Sequence, residues 1–120
     1  MQVRTTLYLF YRASPFDTGL CLHNTNELPN ITFWDGDKSR RLVNDMFEWI
    51  TGIKNWPNLK IEQAYTHEYD NIVDISYLVI LEGRQKLQSD YKWVKLSDLA
   101  SVGFVGEKME RLMEVFSRRF

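Results

Sequence analysis

The sequence predicts an α+β fold in which a mixed sheet packs between two main helices, and three observations carry that prediction. The stretch Ile72 to Leu81, IVDISYLVIL, is strongly β-branched and apolar, the composition of a buried strand. Two stretches, beginning at Lys38 and at Val105, carry apolar residues at spacings of three and four, the period of an amphipathic helix. Gly, Pro, Asn and Asp clusters cut the remainder into short pieces of strand length. Strands interleaved with two helices in this order give layered packing around one core.

The elements follow in order. Val3 to Tyr11 is rich in Thr, Tyr, Val, Leu and Phe and suits a strand. Ser14-Pro15-Phe16-Asp17-Thr18-Gly19 is a turn, and Leu20 to Leu22 begin a second strand, so a hairpin is expected. His23 to Asn30 is polar and irregular, and Ile31 to Trp34 reads as a brief strand. Asp35-Gly36-Asp37 is a tight acidic turn, with Asp37 placed to cap the following helix. That helix runs roughly from Lys38 to Thr51 with Leu42, Val43, Met46, Phe47 and Ile50 as its apolar stripe, and Gly52 is its left-handed stop. Lys54 to Asn58 break the chain, and Leu59 to His67 and Ile72 to Leu81 are strands. Trp93 to Leu96 is a last short strand, Ser97 caps a turn, and Val105, Met109, Leu112, Met113 and Phe116 mark the C-terminal helix.

Composition bounds the function. The 120 residues read as one domain over 1–120, and 44% hydrophobic with 14% aromatic content is enough for a core without staples. A net charge of -1 gives no general attraction to nucleic acid or to an anionic membrane. The single cysteine, Cys21, excludes an internal disulfide and a multi-cysteine zinc site, and points to a reducing cytoplasm. No apolar run approaches the roughly 18 residues of a spanning helix, and Leu7 to Tyr11 is too short for a signal peptide. The expectation is a cytoplasmic single domain.

The stretch LPNITFWDGDKSRRLVNDMFEWITGI, Leu28 to Ile53, is a loop, a helix and a loop. It resembles the Nudix box, the loop–helix–loop of the Nudix (MutT-like) pyrophosphohydrolases. That box reads LPGG, a Gly-Glu pair, and a helix A-A-x-R-E-U-x-E-E-T-G-U, with U aliphatic. Leu28-Pro29 match the LP, Gly36-Asp37 fall on the Gly-Glu pair, and Leu42-Val43 on the paired Ala. Phe47 takes the first U, and Thr51-Gly52-Ile53 the ending, without a gap. The chemistry departs from the frame. Asn30-Ile31 replace the glycines, Asp45 replaces the Arg, and Met46, Trp49 and Ile50 replace the three helix glutamates. Outside the box, Gly19 to His23 is similar to the family's preceding x-L-L-v-x-R strand, and Tyr91 to Leu99 to its W-v-x-L-x-D-L segment.

The resemblance implies an α/β/α sandwich. In the family the helix glutamates hold divalent cations that orient water and neutralise a diphosphate, and hard cations need several oxygens at short range. Met46, Trp49 and Ile50 supply none, so a non-catalytic binding or interaction module is expected, with no cofactor. It would take a nucleotide-type ligand, a protein partner or a second copy of itself through a rebuilt cleft lined by Trp34, Met46, Trp49 and Ile50. Collapse of that cleft into core is the other reading of the same residues. No nucleic-acid or membrane partner is expected.

The alternative is a divergent Mg²⁺- or Mn²⁺-dependent pyrophosphohydrolase acting on a nucleoside diphosphate derivative. Asp45 and Glu48, three apart, share a helix face, and a one-residue helix slip would bring them near two lost glutamate positions. Asp35 and Asp37 would add metal oxygens from the loop, and Glu68 is a catalytic carboxylate candidate from outside the box. The plainer reading of Asp45 and Glu48 is a solvated acidic face. His67, between Thr66 and Glu68, reads as a polar hairpin tip, His23 as structural, Cys21 as a small buried hydrophobe, and the pairs Arg40-Arg41 and Arg118-Arg119 as solvated.

Overall fold

The computed structural model describes residues 2–33 and 39–117, with the side chain of Tyr69 excepted. The candidates Trp34, Asp35 and Asp37, the Asp37 cap and the pair Arg118-Arg119 lie outside those residues. Six strands form one mixed sheet: β1 (Gln2–Ser14), β2 (Asp17–His23), β3 (Asn30–Phe33), β4 (Glu62–Tyr69), β5 (Ile72–Leu81) and β6 (Tyr91–Lys95). The helices are α1 (Ser39–Thr51) and α2 (Glu107–Phe116), with a 3-10 helix at Leu96–Val102.

The sheet order is β4-β5-β1-β2-β6, and β3 pairs with the first half of β1. β1 is therefore the hub: it runs parallel to β5 from Gln2↔Ile72 to Tyr11↔Leu81 and antiparallel to β2 and β3. Leu7, Tyr8, Leu9, Phe10 and Tyr11 are all buried, because both faces of this central strand are covered. Leu7 and Leu9 pack with Val43, Phe47, Ile50 and Val79 on the α1 side. Tyr8 and Phe10 pack with Leu20, Leu112 and Val115 on the α2 side.

The expected hairpin forms between β1 and β2, but the strands run much further into the turn than expected, with Ser14 paired to Asp17. Gly19 explains part of that close pairing. A Cβ there would sit 2.2 Å from the Tyr11 ring, so only glycine lets the ring lie across β2. The Tyr11 hydroxyl then donates to Asp17 at 2.7 Å. The segment around His67 is a second correction. Tyr65 to Tyr69 belong to β4, and the tip of the β4–β5 hairpin is Asp70-Asn71, with Asp70 at φ 48°. The C-terminal helix also starts later than its apolar pattern implied. Val105 precedes it and is exposed, as is Met113, while Leu112 and Val115 face the core.

Candidate functional site

Helix α1 buries Val43, Met46, Phe47 and Ile50 against the sheet. Its C-terminus is closed on several sides. The Gly52 N–H, at φ +73°, donates to the Glu48 carbonyl, and the Thr51 hydroxyl donates to the Phe47 carbonyl. The Gln88 N–H, from the connection before β6, caps the Ile50 carbonyl at 2.8 Å. These bonds hold α1 in unbroken α-helical register to Thr51, so the one-residue slip that would have recruited Asp45 and Glu48 does not occur.

Met46 and Ile50 are 2% and 0% exposed. Of the two readings of these residues, core and cleft lining, the structure gives core, because α1 presses the stripe they belong to onto Leu7, Leu9 and Val79. Trp49 differs from them and is 55% exposed. Asp45 and Glu48 are partly exposed on the side of α1 away from that stripe. Glu68 is exposed on the edge strand β4, opposite Val73 in register. Among the described residues no three His, Cys, Asp or Glu side chains converge on a point that could hold a metal. A hard cation wants several oxygen ligands, and buried Met46 and Ile50 offer none at the positions where the resemblance expects glutamates. Burial pushes the Cys21 thiol up to about 12, which leaves it protonated and unreactive near neutral pH.

The other face of the sheet holds a site the sequence did not reveal. A groove of about 360 Å³ lies between the first half of β1, the β2–β3 connection and α2, within the usual range of roughly 300–1,000 Å³ for ligand pockets. Its floor contains Asp74, 7% exposed on β5. The parallel register sets Asp74 beside Arg4 and Ser76 beside Thr6. The Thr6 hydroxyl donates to Asp74 Oδ1 at 3.0 Å, and Arg4 Nε lies 3.5 Å from Oδ2. Tyr8 and Tyr65 meet through their hydroxyls at 3.4 Å. Burial first, then the Tyr65 contact, push the Tyr8 phenol well above its ordinary range, so it remains a neutral hydroxyl. The fully buried Ser76 hydroxyl, between Thr6 and Tyr65 in register, has no hydrogen-bond partner among the described residues. Phe104 adds an aromatic wall with Lys108 Nζ 5.7 Å from its ring centre, and Arg111 lines the α2 side.

A larger hollow, about 650 Å³, opens beside the start of β4, where β5 continues past it to Leu81. Its charged lining residues, among them Lys60, Glu82 and Arg84, are at least partly exposed, which is how a sheet edge is kept from pairing with another chain. The groove beside α2 is the stronger candidate because it holds a buried carboxylate, Asp74, in its lining. One signal for it was present in the sequence: Asp74 is the single charge inside IVDISYLVIL.

The architecture is that of known proteins. The C-terminal domain of mouse MUTYH, solved in complex with human PCNA, superposes with a TM-score of 0.75 at 8% identity, covering 98% of this chain and 88% of that one. The Nudix domain of Shewanella oneidensis NrtR, complexed with ADP ribose, gives 0.73 at 17% identity over 98% and 88%. An Ap4A hydrolase of C. elegans gives 0.67 at 16% identity over 97% and 96%. No protein-family profile matches the sequence, and no curated protein does. At such identities the likeness concerns the fold, and it defines the chain as a Nudix-fold α+β domain, as its sequence pattern predicts.

Proposed function

We propose that this Nudix-fold domain is a non-catalytic binding module that takes a nucleotide-type ligand in the groove between the sheet and α2. The observation that carries the reading is the burial of Met46 and Ile50, which stand at positions where the resemblance expects metal-binding glutamates. With those side chains in the core, restoring the family's chemistry would require refolding the helix face. The groove supports the ligand class. It combines aromatic rings, hydroxyls, a buried carboxylate and the cations Lys108 and Arg111, a set that suits a ring, a sugar and a phosphate. The neighbour that binds ADP ribose is consistent with this class.

The test is phosphate release from a panel of nucleoside diphosphate compounds at high protein concentration, with Mn²⁺ and with EDTA, beside thermal melts with the same compounds. The expected result is no release, with ligand raising Tm in EDTA, as any native-state ligand must. Turnover that EDTA abolishes and Asp45→Asn reduces would instead establish a divergent pyrophosphohydrolase.

A second reading, a protein partner or a second copy docking on α1, is favoured by one observation. Trp49 is 55% exposed on the helix whose apolar residues Val43, Met46, Phe47 and Ile50 are buried, and Trp is enriched at interfaces. It predicts a concentration-dependent mass, or a captured partner, that Trp49→Glu weakens. Cytoplasmic location is part of the same proposal, resting on one buried unpaired cysteine. No helix among the described residues is long and apolar enough to cross a membrane.

A further inference from the structure

The groove beside α2 is not uniformly polar. Its floor holds the Asp74 carboxylate, an acceptor, beside the Arg4 guanidinium, and Glu27 also lines it. The Asp74 side chain is only 10% exposed; among the described residues one hydroxyl, from Thr6, donates to it, and Arg4 Nε lies at the longer distance of 3.5 Å. A carboxylate has about four acceptor positions, so this one has capacity for further donors. A phosphate or a carbonyl oxygen set against it would face repulsion in a poorly solvated place. The wall is cationic. Lys108 is exposed, and Arg111 pairs with Glu107 at 2.7 Å, an exposed pair of the kind that opens at little cost. Between floor and wall stand the rings of Phe104 and Tyr8.

Resting on the proposed reading of this groove as a nucleotide site, we infer that it binds its ligand in one direction and selects the ring. Asp74 receives the exocyclic amino group of the base, and Lys108 with Arg111 receives the phosphate. Adenine and cytosine present an amino donor at the position where hypoxanthine and uracil present a carbonyl acceptor. The ligand class is thus a 5′-phosphate of an amino-substituted base. Asp74 is the specificity-determining residue. Arg4 and Thr6 are positioning residues, since each acts on the ligand through the Asp74 carboxylate.

The experiment is titration calorimetry of the full chain with AMP, IMP, CMP, UMP and adenosine, each without metal. The expected result is that AMP binds at least about tenfold more tightly than IMP, and CMP than UMP, the size of one charge-assisted hydrogen bond. Asp74→Asn, which can turn an amide N–H to the ligand, is expected to reverse that order. Adenosine is expected to bind about tenfold more weakly than AMP, and the exposed-site variant Lys108→Glu to close that gap, which keeps the orientation testable even where Asp74→Asn does not fold. Equal affinity for AMP and IMP, or an unchanged preference in Asp74→Asn, overturns the inference while leaving a nucleotide site. Binding of none of the five overturns the nucleotide reading and the inference with it.

Discussion

On the α1 side of the sheet, β1 presents Thr5, Leu7 and Leu9; on the α2 side, one residue out of step, it presents Arg4, Thr6 and Tyr8. The first set meets Val43, Met46, Phe47 and Ile50 in a packed layer, where the buried Thr5 and Ser39 hydroxyls satisfy each other at 2.8 Å. The second set meets Asp74, Ser76 and Tyr65 under a groove, with one hydroxyl left unpaired. Both faces of the sheet carry a packed core, but on the α2 side the first half of β1 faces a polar groove. The difference teaches that the apolar stripe of α1, Met46 and Ile50 included, is packed as core, while the buried carboxylate Asp74 lies on the opposite face.

The strongest way to break that comparison is Met46→Glu, which reinstates a carboxylate at a position of the resembled box. Met46 is 2% exposed and packs in a cluster of hydrophobic side chains, where a new anion would be desolvated. An uncompensated buried charge costs roughly 3–5 kcal/mol, so urea unfolding is expected to show a collapse of stability, with no hydrolysis gained. Survival of the variant with near-normal stability would mean that α1 is free to open, and the binding-module reading would lose its main support.

How much of this was legible in the sequence follows the same division. Periodicity and β-branching located α1 and β5 closely, Ile72–Leu81 to the residue, because a core stripe and a buried strand write their period into adjacent positions. The left-handed Gly52 was equally readable as a helix stop. The α2-side groove was not, since Arg4, Asp74 and Lys108 lie far apart in the chain and only the parallel register Arg4↔Asp74 and the docking of α2 unite them. Burial at 46 and 50 was undecidable for another reason: an apolar helix stripe has the same period whether it lines a cleft or fills a core.

A matched pair of substitutions measures the two faces directly. Ser39→Ala on the α1 side removes one partner of a buried hydroxyl pair and strands Thr5, and is expected to cost about 1–3 kcal/mol.

Ser76→Ala, the same chemical change on the α2 side, is expected to do the opposite on a smaller scale. The Ser76 hydroxyl is fully buried with no partner, so the folded state already carries its desolvation cost without a compensating hydrogen bond. Alanine removes that cost and leaves a methyl-sized side chain among Thr6, Tyr65 and Leu78. The unliganded protein should be unchanged or more stable by up to about 1 kcal/mol in chemical denaturation. The sign is what matters. A loss of stability matching that of Ser39→Ala would mean that Ser76 is bonded in the free protein. The α2 side of β5 would then be as fully satisfied as the core opposite, and the contrast between the faces would shrink to the Arg4–Asp74 pair alone.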